Sequence, residues 1–256
     1  MTAVQVRLAQ GTPCWVSLTT GDPDGARAFY GSLLGWEFEP DSARAGGCVR
    51  AAVHGTEVAA LGAAPPGRAQ PACWTTYFTV DSADLAAQRI RECGGTVAVG
   101  PLTVDRIGRT AIAADLSGAV FGIWEAAGRS GREPDRRAAG RERADRPGEP
   151  AWNELVTADE AGAAAFYRAV LGRPVATGTQ PDGTPHDGAP AGGPPHWRVH
   201  FAVADTDLAV HRALALGGVL RAGPYDTPDG RVARLADPQG GRFAVAGPGR
   251  TASGAV

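Results

Sequence analysis

Two rhythms of apolar residues alternate four times along this chain. Each round opens on a short run in which apolar and polar residues alternate: Trp15-Val-Ser-Leu, Trp74-Thr-Thr-Tyr-Phe-Thr-Val, Trp152-Asn-Glu-Leu-Val and Trp197-Arg-Val-His-Phe-Ala-Val. A period of two predicts strands with one face buried. Each run leads into a capped segment with apolar positions at helical spacing. In the first and third rounds an acidic cap, Asp22 or Asp159, precedes a helix carrying Ala-Phe-Tyr and Leu, and Gly35 or Gly172 stands where a left-handed helix terminus is expected. The second and fourth helices stop at Gly94-Gly95 and Gly217-Gly218. After these come Gly-Pro, strands over Thr110–Ala114 and Val232–Ala236, the turns Asp115-Leu-Ser-Gly118 and Asp237-Pro-Gln-Gly240, and closing strands over Val120–Glu125 and Arg242–Ala246.

The rounds fall into two matching pairs. The stretch Trp15–Gly35 repeats as Trp152–Gly172, and Trp74–Gly95 repeats as Trp197–Gly218. Between the pairs, Gly128–Pro150 holds seven Arg, five acids and no large apolar residue, which predicts a solvated linker. The expected organisation is a first domain over 11–127, a linker over 128–150 and a second domain over 151–247. The third round departs from the pattern. The first uses Phe38–Ala64 for extended segments such as Cys48–Val53 and Glu57–Gly62, whereas Gly172 to Trp197 is short and crowded with Gly and Pro, which hold ladder hydrogen bonds poorly. The later strands of the third round are expected to be eroded or replaced by a loop.

The Asp…Ala-Phe-Tyr…Leu-Gly of the odd rounds, the Gly-Gly of the even rounds and the Asp-x-x-Gly before each closing strand together resemble the vicinal oxygen chelate superfamily. That superfamily includes glyoxalase I, bleomycin-resistance proteins and extradiol dioxygenases. The resemblance covers about residues 11–127 and 150–247 and is to tandem two-domain members. It implies an α+β fold of four βαβββ modules in two pairs, each pair curling a mixed sheet into a cup with helices outside, the third module truncated.

Composition narrows the chemistry. All 25 basic residues are Arg, and the absence of Lys excludes a Schiff-base lysine and a Walker-type phosphate loop. Net charge −2 gives no general attraction to nucleic acid. No apolar run approaches a bilayer span and Met1–Gln10 lacks a signal-peptide pattern, so a cytoplasmic protein with no membrane partner is expected, as monomer or homodimer. Cys14, Cys48, Cys73 and Cys93 fall at no metal or redox spacing and read as small buried thiols.

The resemblance also implies where a metal would be held. Counting from the helices and turns places its ligand positions at Trp15, Thr75 and Gly122 in one pair and at Trp152, Arg198 and Ala244 in the other. None is a strong metal ligand, and Arg198 repels a cation. No metal and no other cofactor is therefore expected, although a displaced site using Glu154 and His200 stays open. Alternation says which side chains face each cup. The first is expected to show Trp15, Ser17, Thr19, Thr75, Tyr77, Thr79, Val120 and Trp124; the second Trp152, Glu154, Val156, Arg198, His200 and Arg242. Trp15, Ser17, Thr75, Tyr77, Trp124, Trp152 and Arg242 are the candidate ligand contacts, with Trp74 and Trp197 read as core or rim.

Glu154, His200 and Arg198 are the candidates for catalysis: an acid or imidazole in a partly desolvated cup serves as general base or acid, and a guanidinium holds a phenolate, enolate or carboxylate. The competing reading is a structural Glu154–Arg198 ion pair with His200 simply hydrogen-bonded. The function expected is metal-independent acid/base chemistry, such as cyclisation, isomerisation or ring opening, on a planar oxygenated small molecule of aromatic polyketide type. The alternative is a protein that binds and sequesters such a molecule or carries it as an intermediate.

Overall fold

The computed structural model of the chain describes residues 8–38, 48–65, 71–104, 107–127, 146–177 and 194–249. The first module runs β1 (Pro13–Thr20), α1 (Pro23–Leu34), β2 (Glu37–Phe38), β3 (Cys48–Val53) and β4 (Thr56–Ala63). The second is β5 (Cys73–Thr79), α2 (Ala83–Glu92), β6 (Thr96–Val104), β7 (Gly108–Ala114) and β8 (Val120–Ala126). The third holds β9 (Pro150–Val156) and α3 (Glu160–Leu171). The fourth is β10 (His196–Ala202), α4 (Thr206–Ala215), β11 (Val219–Thr227), β12 (Gly230–Ala236) and β13 (Arg242–Gly247).

The helices start and stop for local reasons. The Asp22 carboxylate accepts from the Gly25 N–H at 2.9 Å and Asp159 does the same for Gly162 at 2.8 Å. Gly35 and Gly172 adopt φ of 72° and 74° and return their N–H to Gly31 and Arg168, the left-handed termini that a side chain with Cβ would strain.

The strands form two mixed sheets of unequal size, as expected for an α+β fold with an eroded third module. One has eight strands in the order β2-β3-β4-β1-β5-β8-β7-β6; the other has five, β11-β12-β13-β10-β9. Strand β1 lies between β4 and β5, but among the described residues its counterpart β9 has only β10 beside it, apart from an isolated parallel bridge between Leu155 and Thr177. The Gly/Pro-rich segment blamed for this erosion, residues 178–193, lies outside the described residues, as does 128–145 of the predicted linker.

The sheets pair the first module with the second and the third with the fourth, while the cores pair them the other way. Val16, Leu18, Phe29 and Leu33 pack with Val199, Phe201, Leu235 and Phe243, and Phe78, Ile90 and Phe121 pack with Leu155, Phe166 and Val170. A hydrogen-bonded triad seals each core. Tyr30 donates to Asp237 Oδ2 at 2.8 Å and accepts from Trp74 Nε1 at 3.0 Å. Tyr167 donates to Asp115 Oδ2 at 3.1 Å and accepts from Trp197 Nε1 at 2.9 Å. Burial and the neighbouring carboxylate push both phenols well above the ordinary tyrosine range. The Tyr of Phe-Tyr, the opening Trp of the even modules and the Asp of Asp-x-x-Gly thus meet across the two halves of the chain, and their work is structural.

Two expectations need correction. Residues 146–150, read as linker, are packed: Trp36 Nε1 donates to Gly148 O at 2.7 Å, Gly148 N–H donates to Ala202 O, and Glu149 is buried. Charge density hid this because the contact is made by the backbone. Of the four free thiols only Cys14 is buried; Cys48 and Cys73, which open β3 and β5, are exposed and Cys93 is intermediate. Among the described residues no helix is long and apolar enough to cross a membrane.

Candidate functional site: two cups with different walls

Each sheet packs one face on the cores, and on the opposite face, the one expected to form the cup, equivalent positions carry different chemistry. On the first, the antiparallel register sets Trp15 opposite Tyr77 and Ser17 opposite Thr75. The Ser17 hydroxyl donates to the Tyr77 phenol oxygen at 3.2 Å. Burial holds the Tyr77 pKa above its ordinary value, so the phenol keeps its proton. Strand β8 runs parallel to β5 with Gly122 beside Tyr77 and Trp124 beside Thr79. Trp15, Ser17, Tyr77 and Trp124 are half-buried, and Thr75 is buried.

Arg50 and Glu57 were missed on this wall. They form an ion pair between β3 and β4, and Arg50 pairs in register with Ala60, which in turn lies beside Ser17. The residues expected on this wall were aromatic and hydroxyl-bearing, and this ion pair adds to them. The strands were visible in the sequence, but their register against β1 was not, because no short-range pattern sets the partner of a parallel strand.

The second cup replaces hydroxyls with charges. Arg198 stands opposite Glu154 and His200 opposite Trp152 on β10 and β9. Arg198 Nη1 donates to Glu154 Oε1 at 2.7 Å, and His200 Nε2 lies 3.6 Å from the same oxygen. Arg234 of β12 converges on it too, at 3.9 Å, with its guanidinium 5.4 Å from the centre of the Tyr225 ring. Trp152 stacks on His200 with ring centres 4.3 Å apart and planes 16° apart. Arg198, His200 and Arg234 are all nearly inaccessible, at 2%, 1% and 4% exposure. Val232, Ala244 and Ala246 complete an apolar floor on which Trp152 and Tyr225 rest. Arg242 opens β13 two residues before Ala244, half-buried at the strand end.

Burial dominates the electrostatics of His200, pushing its pKa down to about 4 despite the nearby carboxylate, so the ring is neutral at neutral pH. Burial raises Glu154, but His200, Arg198 and Arg234 outweigh it and hold the carboxyl below its ordinary value. Glu154 is thus an ionised counter-ion to guanidinium, and the ion pair foreseen as the competing reading is present. Arg234 and Tyr225 were not singled out from sequence. A signal existed for Arg234: it interrupts the apolar Val-Ala-Arg-Leu-Ala where the first pair of modules has Ile112.

The residues at the implied metal positions do not fit a metal. Beside Gly122, a Cβ would come within 2.2 Å of the Tyr77 ring, so a carboxylate cannot occupy that position while the ring lies there. In the second cup Arg198 is committed to Glu154 and Ala244 is a buried methyl. Among the described residues no group of three or more His, Cys, Asp or Glu could hold a metal ion.

Comparison with known proteins agrees with this architecture. A model of the glyoxalase/bleomycin resistance protein/dioxygenase superfamily matches residues 13–123, and one of a glyoxalase-like domain matches 152–246. The anthracycline biosynthesis protein DauV of Streptomyces sp. (strain C5) is 38% identical over 267 residues, covering 93% of this chain and 94% of its own. CFP32 of Mycobacterium tuberculosis is 36% identical over 258 residues, covering 93% and 95%. A Mn(II)-bound glyoxalase from Novosphingobium aromaticivorans superposes with TM-score 0.57 at 17% identity, over 95% of this chain and 86% of that one, which shows the shared fold.

Proposed function

Given that the chain belongs to the glyoxalase/bleomycin resistance protein/dioxygenase superfamily, we propose that it serves a secondary-metabolite pathway by binding a planar, oxygenated molecule of aromatic polyketide type in its second cup. The observation that carries this is the Trp152–His200 stack set against the Glu154–Arg198 pair. A half-buried indole braced from behind by a parallel imidazole is a rigid face for a flat ring. Glu154 and Arg198 beside it supply an acceptor and a forked donor for phenol, enol or carboxylate groups at the ligand's edge. Anthracycline biosynthesis, named for the relative DauV, handles molecules of this kind.

Acid/base turnover is the second reading. It is favoured by a neutral imidazole standing 3.6 Å from an ionised carboxylate that also holds a guanidinium. In that scheme His200 takes a proton from the ligand, Glu154 steadies the imidazolium, and Arg198 stabilises the oxyanion. It requires the Trp152 ring to leave the imidazole it covers. Simple holding requires no such movement, and the geometry favours it.

The test uses 1-hydroxy-2-naphthoate as a planar anionic probe. Its binding should quench tryptophan fluorescence stoichiometrically, and Trp152→Ala should weaken it about ten-fold. Unaltered affinity in Trp152→Ala would refute the assignment of the second cup. Mass spectrometry of a metabolite bound from the producing cell separates the two readings. Recovery unchanged supports holding, whereas conversion that is lost in both Glu154→Gln and His200→Ala supports turnover.

A further inference from the structure

We infer that the outer flank of the first sheet, strands β6 to β8, is where a second copy of this chain docks to form a two-fold homodimer. The repeat supplies the control. Of the four strands that end a sheet among the described residues, β2, β9 and β11 carry Glu37, Glu154, and Arg221 with Asp226, whereas the nine residues of β6 include no charge. Charged side chains are the usual protection of a sheet edge, and β6 lacks them. Its Val99 and Leu102 are instead 49% and 53% exposed. Arg221 and Asp226 of β11 correspond to Ala98 and Thr103 of β6, counted from the repeated Gly-Pro.

The register extends this edge into a face. Val99 lies opposite Ile112, Leu102 opposite Thr110, and Thr110 opposite Trp124, so these side chains point the same way, as does Val120 four residues before Trp124. Val120 is 37% exposed, and Ile112, Thr110 and Trp124 are half-buried. The charges of the three strands lie on the other face. There Arg109 stands opposite Glu125, Arg109 pairs with Asp84 of α2, and Glu125 accepts the Ala83 N–H. The matching flank of the second sheet carries Arg234 and Arg242, and its Val232, Ala244 and Ala246 are buried.

Charge selects the occupant. A two-fold contact uses the same patch on both chains, and a charge near the axis would meet its like. The first flank satisfies that condition and the second does not. Pro101 has no N–H and the β6 ladder shifts register on either side of Val99, so the contact is made by side chains rather than by a continued ladder. Three strands about 4.8 Å apart and three rows about 7 Å apart give a face on the order of 200–300 Å2. A standard interface buries about 800 Å2 a side. The flank therefore serves as the apolar centre of an interface with a polar rim, and the dimer should dissociate on dilution.

The test is sedimentation of the full chain from about 1 to 200 μM. The mass is expected to rise from one chain to two, with a dissociation constant of about 10 μM. Leu102→Arg should weaken the dimer about ten-fold or more. Val120→Arg should do the same, and it places a guanidinium where the second sheet already carries Arg242, which guards against misfolding. Leu216→Arg, at an exposed apolar position on the end of α4, should leave the dissociation constant unchanged. A chain that stays single throughout the range, or a dimer that both flank variants leave intact, would overturn the inference. So would a dimer lost only in Leu216→Arg. A single chain that instead sediments with phosphatidylcholine vesicles, and stops doing so in Leu102→Arg, would assign the flank to lipid and overturn the second copy as its occupant.

Discussion

Ser17, Thr75, Tyr77 and Ile112 in the first cup occupy the places of Glu154, Arg198, His200 and Arg234 in the second, as counted from the repeated Phe-Tyr, Trp and Asp-x-x-Gly positions. One wall thus closes on a hydroxyl–hydroxyl contact at 3.2 Å and the other on a buried ion pair at 2.7 Å. Outside the cups the two halves agree closely, with Asp caps at Asp22 and Asp159, left-handed glycines at 35 and 172, and a Trp–Tyr–Asp triad in each core. The repeat therefore separates two kinds of constraint. Residues that build the scaffold appear twice, whereas of the residues expected to line the cups only the opening tryptophans, Trp15 and Trp152, are kept and their neighbours differ.

The largest expected effect is on stability. Arg198→Ala strands an ionised carboxylate against a buried imidazole and should cost about 3–5 kcal/mol, read as a fall in the urea midpoint. Thr75→Ala at the equivalent place should cost no more than about 1 kcal/mol. Equal costs would show that the second-cup pair is no more structural than the hydroxyls of the first.

A pH profile sharpens the same contrast. His200 is depressed from 6.5 to about 4, so the unfolded chain binds a proton in that window that the folded chain does not. Stability is then unaffected above pH 6.5 and falls as pH drops toward 4, by about 3 kcal/mol in all. Glu154, also depressed, adds a further loss at lower pH, as its carboxylate is protonated below the ordinary glutamate range. His200→Gln should flatten the profile between pH 6.5 and 4. Tyr77→Phe should leave it unchanged, because Tyr77 is raised above 10 and does not titrate there. A parallel profile for wild type and His200→Gln would refute the buried neutral imidazole. The smallest effect is that of Tyr77→Phe at neutral pH, about 1 kcal/mol for the lost Ser17 bond, measured by the same denaturation.

Much of this architecture was legible. Alternation placed Trp74 and Trp197 on the core side of their strands and Trp15, Trp124 and Trp152 on the other, because adjacent strand residues face opposite ways whatever the strand pairs with. The Gly and Pro content after Gly172 predicted a third module short of strands, and among the described residues β9 pairs with β10 alone, apart from one isolated bridge. Arg50, Glu57, Arg234 and Tyr225 escaped because the strands that carry them join the cups through partners distant in sequence. Glu57 lies beyond a register shift between Ala51 and Ala52 that no composition signals. The motif residues Tyr30 and Asp237 were both noticed, yet nothing local announces a hydrogen bond between positions 207 residues apart.

Taken alone, the sequence determined what short-range forces control: the four repeats, the caps and stops of the helices, the face on which each opening-strand side chain lies, and the absence of lysine chemistry. The tertiary structure decided what depends on long-range packing. It joined the first module to the fourth and the second to the third in shared cores, and drew Arg198, Arg234 and His200 around one Glu154 oxygen. Burial sets the His200 pKa, and burial is a property of the assembled sheets that no single segment carries.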